Sequence, residues 1–225
     1  MSCYNKAVHA GGACGLLQNK KGNTMVRTVF YVLLGYLLGS ILFARVAGRL
    51  FHRETFIEKS GDRNPGTVNA FVYGGMGCGV VTLAGDLLKG FLPVFLYHHL
   101  GPVQEGLLPA ALVLAAPVLG HAYPLFFHFE GGKGIAVTFG CLLGLLPAGV
   151  PFAALAFFFI FFSVVVKISP NFYRTYITYF CTLALILAVK GVAACTLGFL
   201  LITCIVGLRL HMSKEEREKL KVKVL

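Results

Sequence analysis

The chain has 225 residues, of which 57% are hydrophobic and 13% charged, with a formal net charge of +11 and a mean hydropathy of +0.78. Apolar runs recur from Thr28 to Leu208 with no polar stretch long enough for a soluble domain. That composition predicts an all-α polytopic integral membrane protein, because backbone groups in lipid need internal partners. The continuous runs argue against the alternating strands of a membrane β-barrel, and basic residues scattered over loops and termini argue against a nucleic-acid module.

In chain order, residues 1–24 are polar and glycine-rich with no sustained apolar stretch, which fits neither a signal peptide nor a helix. They read as a disordered extension or as a mis-assigned start, since Met25 immediately precedes the first membrane run. Residues 25–211 read as one integral membrane domain and 212–225 as a basic cytoplasmic tail. The first predicted span runs from about Thr28 to Ala47 and is followed by a charged loop from Gly48 to Asn64. A second apolar run, Phe71 to Leu100, is too long for one uniform span and is interrupted by Asp86 and Lys89. A third covers Gly106 to Phe127.

The runs 134–166 and 175–208 each exceed one ordinary crossing. Pro147 with Pro151 is expected to split the first, and Lys190-Gly191 the second, into two short helices each. The total is about seven transmembrane helices, with five as the alternative at the same orientation. Most Lys and Arg collect on the side of the 48–64 loop, the Lys133 loop, the Lys167–Arg174 loop and the C-terminal tail. The positive-inside bias therefore predicts an outside N-terminus and a cytoplasmic C-terminus. Seven cysteines without a C-x-x-C pair suggest neither disulfides nor zinc, and scattered carboxylates and histidines suggest no metal site.

Three polar clusters fall on the predicted cytoplasmic side. Ser60 to Asn69 carries Asn64, Gly66 and Asn69 just before a span, a pattern that suits a turn or a ligand loop equally well. Asp86 and Lys89, three apart, share a helix face and either pair with each other or meet substrate. Gly120-His121 precedes Gly131-Gly132-Lys133-Gly134. Glycines let backbone N–H groups approach a ligand and the lysine adds a mobile charge, so this segment is expected to bind phosphate. His121 suits a satisfied helix-end histidine or a catalytic group. Two G-x-x-x-G patterns, Gly35/Gly39 and Gly140/Gly144, mark close helix contacts, and Ser40 suits helix packing or a site lining.

Taken together, the chain resembles the PlsY-type acyl-phosphate:glycerol-3-phosphate acyltransferases. The resemblance is carried by Gly39-Ser40, Asn64-Pro65-Gly66 with Asn69, Asp86-Leu87-Leu88-Lys89-Gly90, Gly120-His121 with Pro124, Phe129, Gly131-Gly132-Lys133-Gly134 and Gly140. It covers about Gly35 to Pro151 well and the last third only as hydrophobic pattern. It implies a seven-helix enzyme of the bacterial inner membrane whose site faces the cytoplasm. That enzyme would move an acyl chain from acyl phosphate to glycerol 3-phosphate, giving lysophosphatidate and phosphate in phospholipid synthesis. Neither acyl carrier protein nor coenzyme A would be the donor, and no cofactor is implied.

The site residues expected on these grounds are His121 and Lys133 as catalytic groups. Ser40, Arg63, Asn64, Gly66, Asn69, Lys89, Gly131, Gly132, Lys133 and His211 are expected to contact substrate or its phosphate, and membrane lipids surround the whole. No His-x4-Asp pair is present, so the donor's own phosphate is a candidate proton acceptor. The chain departs from the family pattern at Gly61-Asp62-Arg63-Asn64, where Gly-Ser-Gly-Asn is usual. It departs again at Glu58 in place of an arginine, at Glu130 before the glycine pair, and at Arg209-Leu210-His211, which lacks the following asparagine. A paralogue with another phosphorylated acceptor or lost activity is the same-fold alternative. A small-solute transporter is the different-class one, although no internal repeat supports it.

Overall fold

The computed structural model describes residues 24–101, 106–213 and 219–224. The expected N-terminal extension therefore lies outside the described residues save for Thr24, and the expected tail is described only in part. The main helices are α1 (24–39), α2 (Phe43–Leu50), α3 (Met76–His99), α4 (Leu107–Ala122), α5 (Ile135–Leu143), α6 (Val150–Ile160), α7 (Asn171–Lys190) and α8 (Ala194–Met212). With α1 and α2 taken as one stretch, these are seven apolar segments at the positions read from the sequence. Five are long and apolar enough to cross a bilayer: Thr24–Leu50, Met76–His99, Leu107–Phe127, Asn171–Lys190 and Ala194–Met212.

The run 134–166 does divide near Pro147 into short helices, α5 and α6, the latter continued by a wide turn Phe161–Val165. The run 175–208 does not yield short helices. It grows at both ends into α7 and α8, of 20 and 19 residues, which break at Gly191 with φ +62. The polypeptide is also not wholly α-helical. The α6–α7 connection forms strand β1 (Val166–Ser169), which pairs antiparallel with β2 (Lys221–Val224) in the register Lys167 opposite Lys223.

The first predicted span is broken. Between α1 and α2, residues 40–42 leave the helix, and Ser40 stands at the break. Its buried hydroxyl donates to the Tyr36 carbonyl at 2.8 Å and accepts the Leu125 N–H at 3.2 Å, so it serves two segments at once. The break lies against α4, where a Cβ on Gly39 would stand 2.3 Å from the Pro117 carbonyl oxygen. The other small-residue pattern works the same way: a Cβ on Gly140 would stand 2.1 Å from the Leu87 oxygen, so α5 lies directly on α3. Both G-x-x-x-G patterns are thus helix contacts.

The main core is shared by α3 to α8. Val94, Leu114, Val137, Leu155, Tyr179, Phe199 and Ile202 meet in it, and the Tyr179 hydroxyl is satisfied by Thr138 Oγ1 at 3.0 Å. A smaller core joins α2, a helical turn Phe56–Lys59 and the start of α3 through Ala44, Phe56, Ile57 and Cys78. The outward faces remain apolar. Phe30 and Leu33 of α1, Leu88 of α3, Ile160 of α6 and Val189 of α7 are all exposed, as expected where lipid is the solvent.

Candidate functional site

The break between α1 and α2 is closed by a buried polar group from α3. Asp86 and Lys89 are 1% and 3% exposed and lie 2.8 Å apart on one face of the helix. The Lys89 ammonium also donates to the Ile41 carbonyl at 2.6 Å and lies 2.9 Å from His121 Nδ1. A buried ammonium needs partners, and Lys89 has two hydrogen-bond contacts, to Ile41 and His121, beside its ion pair with Asp86. Asp86, Lys89 and His121 therefore tie α3 to the α1–α2 break and to the end of α4.

The glycine pair packs directly on that histidine. After α4 the chain makes a tight turn, with His128 and Phe129 in left-handed backbone at φ 52 and 61, and returns through Gly131 and Gly132. The Gly132 N–H donates to the His121 carbonyl at 3.0 Å. A Cβ on Gly131 would fall 1.8 Å from that carbonyl oxygen, and one on Gly132 would fall 2.2 Å from His121 Nε2. The glycines are thus needed for close approach of backbone to helix end. Gly134, with φ +80, then turns the chain into α5.

This hairpin meets the loop before α3. The Lys133 N–H donates to Asn64 Oδ1 at 3.2 Å, and Lys133 Nζ lies 2.9 Å from Asp62 Oδ2. Asp62 Oδ1 accepts from Asn69 Nδ2 at 2.7 Å and from the Asn64 N–H at 3.2 Å, while Asn69 Nδ2 also reaches the Asn64 carbonyl at 2.8 Å. Burial works to raise the Asp62 carboxyl, but the Lys133 hydrogen bond and charge, with the donors of Asn69 and Asn64, outweigh it. They hold it below the usual carboxylate range.

Two cavities open on either side of this contact. The larger, of about 550 Å³, has a polar mouth at Asp62, Asn64, Asn69, Lys133 and Arg174, and its interior is walled by Leu83, Leu87, Phe139, Leu143, Phe152 and Phe159. Gly66 and His121 also line it, as does Thr67, whose buried hydroxyl has no hydrogen-bond partner among the described residues. The smaller, of about 210 Å³, is ringed by Arg45, Arg63, Arg209 and Lys133, with Asp62, Asn64, Glu130 and Gly131. Asp62, Asn64 and Lys133 line both, so they form the common wall.

The structure therefore brings Arg63, Asn64, Gly66, Asn69, His121, Gly131 and Lys133 to the cavity surfaces and leaves the other expected residues elsewhere. Lys89 lines neither cavity: a cation held by Asp86, Ile41 and His121 is committed to the interior. His121 Nδ1 faces Lys89, while its Nε2 lies beside Gly132 and the residue lines the larger cavity. Ser40 is held between Tyr36 and Leu125, and Gly132 packs on His121; neither lines either cavity. His211 is exposed on the last turn of α8 and lines neither cavity. Arg209, two residues earlier, takes the position expected of it and donates to the Gly131 carbonyl at 2.5 Å. Glu58 is exposed on its helical turn and away from both cavities. Arg45, Asp62, Thr67, Arg174 and Arg209 were missed as site residues. Only the basic residues at span ends carried a signal, and that signal reads first as topology. Among the described residues no cluster of three or more His, Cys, Asp and Glu is placed to hold a metal ion.

The family description "Glycerol-3-phosphate acyltransferase" matches residues 29–218. Curated relatives of that name include one from Herminiimonas arsenicoxydans, 44% identical over 126 residues, which are 55% of this chain and 60% of the relative. Another, from Albidiferax ferrireducens, is 38% identical over 183 residues, 76% of this chain and 79% of the relative. A third, from Pseudomonas paraeruginosa, is 43% identical over 129 residues, 57% and 66%. The matched part of the chain thus spans less than two thirds of the first and third relatives. Among solved structures, PlsY (YgiH), an integral membrane glycerol 3-phosphate acyltransferase, superposes in its lysophosphatidic acid form with a TM-score of 0.67. Its glycerol 3-phosphate form gives 0.68. Both are 27% identical to this chain and cover 81% of it and 87% of their own length.

Proposed function

Because the chain belongs to the glycerol-3-phosphate acyltransferase family and is a multi-pass membrane protein, we propose that it moves an acyl chain from acyl phosphate to glycerol 3-phosphate. The observation that carries the reading is the common wall. One larger cavity, with apolar and polar lining residues, suits a lipid tail with a phosphate head. A smaller cationic cavity that shares the same three residues suits a small polar phosphate ester. The acyl chain lies along Phe139, Leu143, Phe152 and Phe159, with its phosphate at Lys133, Asn64 and Asn69. The acceptor's phosphate sits among Arg45, Arg63 and Arg209, where paired guanidinium donors match its oxygens.

The acceptor hydroxyl oxygen attacks the acyl carbonyl carbon, the bond from that carbon to the phosphate oxygen breaks, and phosphate leaves. The hydroxyl proton passes to the departing phosphate, which needs no protein base. Lys133 is the catalytic residue: its charge stabilises the phosphate as negative charge develops on it. Lysophosphatidate returns to the lipid phase along the same apolar wall. The concentration of basic residues near the site supports a cytoplasm-facing mouth in a bacterial inner membrane. A free acyl phosphate, and not a thioester of acyl carrier protein or coenzyme A, is the donor, and the proposal includes no cofactor.

Purified protein given palmitoyl phosphate and labelled glycerol 3-phosphate should form labelled lysophosphatidate, and Lys133→Ala should reduce the rate at least 100-fold. Release of free palmitate without labelled lipid, or a Lys133→Ala rate equal to wild type, would sink the reading.

A further inference from the structure

We propose that the Asp62 carboxylate is a tethered competitor for phosphate: it occupies the anion seat made by Lys133, Asn69 and the Asn64 backbone, and a substrate phosphate binds there by expelling it. The proposal rests on the acyltransferase reading of the same site. Its geometry is that of a bound anion. Two carboxylate oxygens take three donors, with Lys133 Nζ at 2.9 Å from one oxygen and Asn69 Nδ2 and the Asn64 N–H at 2.7 and 3.2 Å from the other. A phosphate edge presents the same two oxygens at a similar spacing and brings up to twice the charge. The contact stands on the wall common to both cavities, so a phosphate reaching Lys133 from either side meets the carboxylate first.

Two features suit the carboxylate to leave. The Asp62 and Lys133 side chains are 17% and 12% exposed, so the pair is partly open to water and separates more readily than the fully enclosed Asp86–Lys89 pair. The loop that carries Asp62 is also loosely packed on one side, since nothing lies within 4 Å of a Cβ built on Gly61. Once turned out, the carboxylate faces Arg63, which shares the cationic cavity with it. A seat already filled by a monoanion discriminates by charge. A phosphate dianion displaces it, whereas a carboxylate or phosphate diester of equal or lower charge gains little.

The test uses full-length protein in detergent. Asp62→Ser removes the carboxylate and keeps a small polar group, and Asp62→Asn keeps the shape and loses the charge, which guards against a variant that fails to fold. Measured are KM for glycerol 3-phosphate, KM for palmitoyl phosphate, and the stabilisation of the thermal midpoint by inorganic phosphate. Asp62→Ser should tighten at least one phosphate ligand about tenfold, a change of about 1.4 kcal/mol, and Asp62→Asn should move the same constant in the same direction. A fall confined to glycerol 3-phosphate gives the seat to the acceptor, and one confined to palmitoyl phosphate gives it to the donor. Adding Lys133→Ala to Asp62→Ser should abolish the gain. Unchanged or weaker binding of all three ligands in both variants would overturn the proposal and make Asp62 a loop staple only. The phosphate titration needs no turnover: tighter phosphate binding by Asp62→Ser in a protein inert toward both substrates would uphold the seat while removing the acyltransferase reading.

Discussion

Replacing Lys89 by Met tests whether the buried cation is structural or meets substrate. The substitution keeps volume and leaves the Asp86 carboxylate, 1% exposed, without the ammonium 2.8 Å away. It also strips the Ile41 carbonyl of a 2.6 Å donor. Removing one partner of a buried ion pair costs about 3–5 kcal/mol, and an orphaned buried carbonyl costs about 1–3 kcal/mol. Because one ammonium serves both, these costs do not simply add, and the expected loss is roughly 3–6 kcal/mol. The double variant Asp86→Leu/Lys89→Met removes the stranded charge and leaves the Ile41 carbonyl and His121 Nδ1 without the ammonium, so it should be destabilised less than Lys89→Met alone. Unfolding in mixed micelles with increasing denaturing detergent measures all three proteins and closes the double-mutant cycle with Asp86→Leu. A Lys89→Met protein of wild-type stability with a raised KM would refute the reasoning and return Lys89 to the substrate.

Three further outcomes are expected. Gly131→Ala would place a methyl 1.8 Å from the His121 oxygen and 2.7 Å from Pro124 Cδ, so the hairpin shifts; activity should fall more than tenfold with a lower thermal midpoint, and a silent substitution would contradict the packing. The Asp62 carboxyl is held below its unfolded value of about 3.9. Its contribution to stability is therefore complete above that value and is lost as pH falls through the lower, folded one. The difference in thermal midpoint between wild type and Asp62→Asn should accordingly be flat from about pH 7 to pH 5 and shrink below about pH 4, and a difference that grew in acid would have the wrong sign. Leu143→Trp fills part of the apolar interior of the large cavity, and each methylene left unburied forfeits about 0.8 kcal/mol. Activity with palmitoyl phosphate should therefore fall relative to decanoyl phosphate, as read from kcat/KM for the two donors.

Hydropathy made the membrane segments legible, since a run of twenty apolar residues has few alternatives to a helix. Prolines were poorer guides. Pro93 and Pro117 sit inside α3 and α4 without ending them, while the break at residues 40–42 contains no proline and depends on partners from α3 and the turn after α4. Such a break is tertiary, and no local pattern announces it. At the site, the neighbourhood of Asn64 and Lys133 followed from glycines, asparagines and a lysine in a recognisable order. The division of labour did not follow. Lys89 and Lys133 look alike in sequence, yet one is enclosed by three acceptors and the other stands at a cavity mouth. Asp62 read as a departure from a motif, and its meaning emerged only when its carboxylate was found on Lys133. Arg209 and His211 are two positions apart on a helix whose turn takes 3.6 residues, so only one of them can face the hairpin.

The ammonium that closes the α1–α2 break comes from a residue 48 positions downstream of Ile41, and its histidine neighbour lies a further 32 along. During synthesis, then, the N-terminal segment leaves the ribosome before the groups that complete it exist. The Ile41 oxygen lacks its Lys89 donor until that residue is made, so this segment reaches its final shape late. Nascent chains halted before residue 89 should leave Ser40 open to alkylation in a cysteine-substituted form, and chains halted after the glycine hairpin should shield it.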